Sequence, residues 1–193
     1  MIRTLEAAPG RPPDSGWNMD LALLGAQLPD LFYHNRRRRP SGLHLGVVVH
    51  KEGAGRLAAS MLASDALQQD HRESLVAGLV CHVVLDRAVH PWINYVTADS
   101  PERSDHVMLE QILDQCLDGA GDLAARIAGS ARQIADDAAS AEAVLTCLAS
   151  ALRVSYPRAG NDERLIQRCS NSLLDAADYW AWRAERGYQR EIP

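Results

Sequence analysis

Apolar residues recur every three to four positions along most of the chain, and no stretch of useful length alternates apolar and polar residues as a strand would. The segment "NMDLALLGAQ" has helical spacing, and Pro29 is expected to end it, leaving "LPDLFYHN" as a turn or a restart. "RRRRP" reads as a loop. "SGLHLGVVVHKEGAGRLAASMLAS" starts with Ser41 as a cap candidate and is expected to be divided or bent at Gly53 and Gly55.

The strongest helix is predicted over 71–95. Leu75, Val76, Leu79, Val80, Val83, Val84 and Leu85 make it apolar on most sides, which predicts a central, buried element, and Pro91 should kink or stop it. The next helix takes Ser100 as its cap, with Pro101 in the first turn and Glu102 close behind, and Gly119 and Gly121 close it. Three more are predicted over 122–137, 140–155 and 161–187. The expected class is all-α, a single-domain multi-helix bundle.

Composition narrows the picture further. A chain of 193 residues suits one domain, and 47% apolar with 23% charged residues is the balance of a folded globular protein. Phe occurs once, so helix formers dominate over aromatic strand formers. A net charge of −5 gives no reason to expect nucleic-acid binding. Apolar stretches broken by charge predict no transmembrane segment. "MIRTLEAAPGRPPDSG" lacks the apolar core of a secretory signal, so a cytoplasmic location is expected. Cys81, Cys116, Cys147 and Cys169 are far apart and read as reduced thiols.

The chemistry is concentrated in "CHVVLDRAVHPW". On a helix, four residues advance about 6 Å and drift about 40°, so His82, Asp86 and His90 form one polar stripe on an otherwise apolar helix. Burying three such groups without partners would cost several kcal/mol, a cost that metal ligation removes. His106 and Glu110 in "DHVMLEQ" repeat the i, i+4 spacing on the next helix, which a short loop would fold back against the first. Upstream, Asp30 follows "GAQLP" and His50 follows three valines. Each sign alone has an ordinary explanation: a lone buried His is usually a hydrogen-bonded core residue, and an i, i+4 His–Glu pair is often a solvated surface pair. Together they share one explanation.

"GAQLPDLFYHN", "LGVVVHKEG", "GLVCHVVLDRAVHPWINY" and "DHVMLEQILD" resemble, in order, the zinc-dependent phospholipase C family, related to P1-type nucleases. The resemblance covers about residues 22–115. It implies that Asp30, His50, His82 and Asp86 gather one metal, and His90, His106 and Glu110 a second. His44 competes with His50 for its place, and His50 in "HKEG" fits the short bacterial members better. Asp86 would be the bridging carboxylate. A third site, which in the family uses a histidine near the mature N-terminus, is expected to be missing or altered because no His precedes His34.

The expected layout is an irregular segment over 1–16, a metal-binding core over 17–118 and C-terminal helices over 119–193. The expected activity is metal-dependent hydrolysis of a phosphoester, with Zn2+ (two ions) as cofactor and iron or manganese as alternatives. Asp30 is the candidate for orienting or deprotonating the attacking water. The expected partner is a small-molecule or phosphoester substrate. Two other readings use the same residues: a non-heme iron enzyme of di-iron type, and a non-catalytic metal-binding protein. Glu-x-x-His pairs typical of di-iron bundles are absent. Arg36 to Arg39 could grip phosphate but read more simply as a solvated loop. Tyr33, Trp92 and Tyr95 flank the ligands as mouth or core. The aromatics Tyr179, Trp180, Trp182 and Tyr188 are expected to pack a last helix on the body.

Overall fold

The computed structural model describes residues 16–98, 103–118 and 122–186, which are all-α. The elements are α1 (Met19–Leu31), a 3-10 turn (Phe32–His34), α2 (Leu43–Lys51), α3 (Ala54–Leu62), α4 (Gln69–Val96), α5 (Arg103–Asp118), α6 (Leu123–Asp136), α7 (Ala138–Ser155), the short α8 (Pro157–Gly160) and α9 (Leu165–Arg186). No strand occurs among the described residues. The expected cap at Ser100 and Glu102, the closing glycines 119 and 121, and Tyr188 lie outside them.

Side chains set several helix ends. Asn18 caps α1, its side-chain oxygen accepting from the Leu21 N–H at 3.0 Å. Asp137 does the same for α7 through Ala139 at 3.3 Å. Gly53, at φ +79°, separates α2 from α3 because few other residues tolerate that left-handed turn. Gly55 lies inside α3. Ser41 accepts from the Leu43 N–H at 3.2 Å, although Gly42 is the N-cap of α2.

The two prolines depart from expectation. Pro29 does not end α1 but sits in its last turn, and α4 continues through Pro91 to Val96. A helical proline forfeits the bond to the carbonyl four residues back. At Pro91 that carbonyl belongs to Arg87, and both residues are exposed, so water can satisfy it.

The core forms where α1 crosses α4. Gly25 and Gly78 make the crossing close: a Cβ on Gly25 would lie 2.0 Å from the Leu75 carbonyl oxygen, and one on Gly78 would lie 2.0 Å from that of Ala22. Leu24, Leu28, Leu75 and Leu79 pack there, in one continuous cluster with Leu57 and Met61 of α3, Leu148 and Leu152 of α7, and Leu173 of α9.

The expectation that α4 is buried on most sides holds for its first half only. Ser74, Leu75, Val76, Gly78 and Leu79 are buried, whereas Val80, Val84, Leu85, Trp92, Tyr95 and Val96 are exposed. Beyond Leu79 one face of the helix stays against α1 and α2, through His82 and Val83, while the other lies open, and only Ile93 is again fully covered. By length and composition alone α4 and α7 would each suffice to cross a bilayer, a test that core helices of folded proteins also pass. In α7, Cys147, Leu148 and Leu152 belong to the core.

Candidate metal centre

The close α1–α4 crossing delivers the end of α1 to the middle of α4, and α2 approaches from the side. Asp30 comes from α1, His50 from α2 and His82 from α4, with one candidate ligand atom from each lying within 4.8 Å of the others. About two turns along α4, His90 forms a second group with His106 and Glu110 of α5, to the same tolerance. These are the two clusters of His and carboxylate capable of holding an ion among the described residues.

Asp86 lies between the groups. It lines a small cleft together with His50 and His82, and its carboxylate is 2.8 Å from His90 Nδ1. Its distance to the first group is thus one of a shared cleft, while its direct contact is to the second.

The hydrogen bonds decide what each imidazole offers. His82 Nδ1 lies 2.9 Å from the Ala26 carbonyl oxygen, so it carries the hydrogen and donates it. Nε2 is then a lone pair, and it is buried with no hydrogen-bond partner among the described residues. His50 Nδ1 likewise donates to the Gly46 carbonyl oxygen at 2.8 Å, which turns Nε2 toward Asp30 Oδ1 at 3.1 Å. His90 Nδ1 faces the Asp86 backbone and side-chain oxygens, at 3.1 and 2.8 Å, leaving Nε2 3.0 Å from Glu110 Oε1. His106 Nε2 reaches that same oxygen at 3.0 Å.

In each group, therefore, an imidazole whose hydrogen is spent on the other nitrogen turns a lone pair toward a carboxylate oxygen. Two acceptors in contact need a positive charge between them, either a proton or a metal ion. Donation from the distal ring nitrogen to a carbonyl or carboxylate is how metal-binding histidines are commonly held.

The electrostatics of the first group agree. Crowding would raise the Asp30 carboxyl, but the His50 hydrogen bond and the charges of His82, His50 and His34 outweigh it and hold the pKa below the ordinary value. Burial would lower His50, yet the bond to Asp30 and its charge raise the imidazole above its usual value. Asp30 keeps 41% of its side-chain surface exposed, so a small molecule can reach it.

His34 was not singled out by sequence, although it stands four residues after Asp30, the same spacing as the recognised pairs. Its position past Pro29, in a presumed turn, hid the relation. The ring stacks on Tyr179 of α9 with centroids 4.3 Å apart, and burial pushes its imidazole down to about 4, so it is neutral at pH 7. His44, the competitor of His50, is exposed on α2 and lies in the fields of Arg168 and Asp162, away from Asp30.

The arginine run is neither a solvated loop nor a phosphate grip at Arg38. Asp175 of α9 accepts from the Arg37 and Arg38 N–H groups at 2.9 and 3.1 Å and from Asn35 Nδ2 at 3.1 Å, and it pairs with the Arg38 guanidinium. Arg38 also reaches Asp178 at 2.9 Å. Arg36, Arg37 and Arg39 are exposed. Tyr33 packs on His50 with centroids 4.9 Å apart, whereas Trp92 and Tyr95 are exposed and form neither mouth nor core. The four cysteines carry free thiols.

No protein-family model matches the chain, and neither the curated proteins nor the solved structures contain a match.

The residues fit a divalent cation of borderline hardness. Imidazole nitrogen with carboxylate oxygen is a donor set for zinc, iron or manganese, and the buried, unpartnered Nε2 of His82 is the group that such an ion would satisfy.

Proposed function

We propose that this protein is a metal-dependent hydrolase of phosphoester bonds, with zinc as the preferred ion and two ions per chain. The observation that carries the reading is the unpartnered His82 Nε2 beside Asp30 and His50, with its tautomer locked by Ala26. The second group on α4 and α5, and the resemblance of the ordered motifs to zinc-dependent phospholipases C, support it.

In this reading Asp30, His50 and His82 hold one ion, and His90, His106 and Glu110 the other, with Asp86 placed beside both. Divalent ions so held lower the pKa of coordinated water toward about 7 and offset charge on a phosphoryl oxygen. The chain's own contribution is orientation and proton handling. Ala26 and Gly46 carbonyls keep His82 and His50 as acceptors toward the site, and Asp86 does so for His90. Asp30, ionised and partly open to solvent, is positioned to accept a proton from an attacking water. His34, neutral at pH 7, stacks on Tyr179, and both rings lie within the electrostatic reach of Asp30.

Elemental analysis of protein purified without chelator, beside the His82→Ala variant, tests the reading, followed by a panel of phosphomonoesters and phosphodiesters. Two equivalents of zinc, reduced in the variant, with turnover on the panel, are expected. Iron with oxygen-dependent activity would replace hydrolysis with redox chemistry. Tight metal without turnover would make the protein a metal-stabilised binding module.

A further inference from the structure

The second half of α4 has two opposite faces. At about 100° per residue, His82, Asp86 and His90 occupy one side. Val80, Val84, Leu85, Trp92, Tyr95 and Val96 fall within an arc of roughly 160° on the other. These six are 43–81% exposed, and Ala88 and Pro91 between them are exposed as well. No charged residue lies inside the arc; Arg87 stands at its edge.

With about 150 Å² for a full aliphatic side chain and up to about 250 Å² for an aromatic one, the arc presents roughly 700 Å². That exceeds the largest apolar patch of a typical monomer, about 300–600 Å². It approaches the roughly 800 Å² that each partner buries in a standard stable interface.

We propose that a second copy of this chain covers this face, α4 packing on α4 in antiparallel sense across a two-fold axis. Three features select a second copy over a lipid surface. The area suits one side of a symmetric dimer. An interfacial lipid-binding helix carries Lys and Arg along its polar side, whereas here that side holds His82, Asp86 and His90 and the chain bears a net charge of −5. Finally, the arc is self-complementary. Its midpoint is Ala88, a small residue that lets two helices approach closely, and an antiparallel pairing centred there brings Trp92 level with Val84 of the second copy near the middle of the interface, with Val80 and Val96 at its edges. The metal-binding face remains open on the far side of the same helix. This inference does not depend on the hydrolase reading.

Sedimentation velocity of the full chain over a micromolar concentration series tests it. A dimer is expected, and Val84→Glu or Tyr95→Glu should weaken it at least ~100-fold, since each dimer would bury two unpaired carboxylates. Both positions are exposed in the monomer, so unchanged circular dichroism should accompany the loss. In a Cys81→Ser, Cys116→Ser background, Ala88→Cys should form an intermolecular disulfide on mild oxidation, as two cysteines facing across the axis would. A monomer at every concentration overturns the proposal, as does a dimer that both Glu variants leave intact. Co-sedimentation of the monomer with phosphatidylcholine or phosphatidylglycerol vesicles, lost in Tyr95→Glu, would make a lipid surface the occupant and equally overturn it.

Discussion

His82 donates its Nδ1 hydrogen across 2.9 Å to the carbonyl oxygen of Ala26 on the neighbouring helix, and that bond leaves Nε2 as the open nitrogen beside Asp30 and His50. A backbone carbonyl cannot be removed by side-chain substitution, so the tautomer depends on how closely α1 and α4 cross. The crossing depends in turn on two glycines.

Gly78→Ala is the sharpest probe of that dependence. The new Cβ would meet the Ala22 carbonyl oxygen at 2.0 Å, so α1 must move away from α4. The variant should lose about 3 kcal/mol in urea unfolding, the upper range for overpacking a tight contact. It should also release metal from the first group, because Ala26 and Asp30 move together. Full metal content in a folded Gly78→Ala protein would separate the crossing from the site.

Glu110→Gln should act on the second group alone. His90 Nε2 and His106 Nε2 both lie 3.0 Å from the same Glu110 oxygen, so neutralising that carboxylate removes the charge holding them together. About one equivalent of metal should be lost by elemental analysis, with a lowered melting temperature, while the His82 group retains its ion. Loss of both ions would indicate that Asp86 couples the two groups.

His34 predicts a dependence of stability on pH. Its folded pKa, about 4, lies below the value of 6.5 for an unfolded histidine. Between those values the unfolded chain takes up a proton that the folded one does not, so stability falls as pH drops from 6.5 to 4 and the loss then saturates. The full penalty is about 3 kcal/mol. His34→Phe keeps the stack on Tyr179 and should remove this slope, as read from denaturant unfolding at a series of pH values with chelator present. An identical slope in both proteins would place the titrating group elsewhere.

Asp175 predicts a loss in the same direction at lower pH. Burial alone would raise its carboxyl, but the N–H groups of Arg37 and Arg38, with Asn35 and the Arg38 guanidinium, bring it below the ordinary value of 3.8. Its contribution is therefore present above 3.8 and lost as pH falls through the lower folded pKa. Asp175→Ala leaves the loop donors unanswered and should cost about 3 kcal/mol at neutral pH. Its difference from wild type should shrink in strong acid. A difference that persists there would mean that the ionised carboxylate is not what holds the loop.

Much of this arrangement could be read from spacing. The period of 3.6 placed His82, Asp86 and His90 on one stripe and His106 with Glu110 on another, and glycine's poor fit to a helix marked the break at Gly53, though not at Gly55, which lies inside α3. Spacing is local, however, and could not show that one face of α4 lies open after Leu79, which turned part of an apolar run from core into surface. Nor could it show that Asp175, in the last helix, would hold the loop at Arg38, because that relation spans most of the chain. The prolines misled for a related reason: a proline breaks a helix where its lost bond stays unmet, and at Pro91 the freed carbonyl lies on an exposed side.

The two groups differ in how far apart their members lie along the chain. His90, His106 and Glu110 belong to one helical hairpin, so an ion bound there would close a short loop early, as soon as α4 and α5 had left the ribosome. Asp30, His50 and His82 meet only after α1, α2 and α4 have docked. An ion captured by this later trio would act as a latch on completed folding, and its departure would be felt first as loosening between helices far apart in sequence.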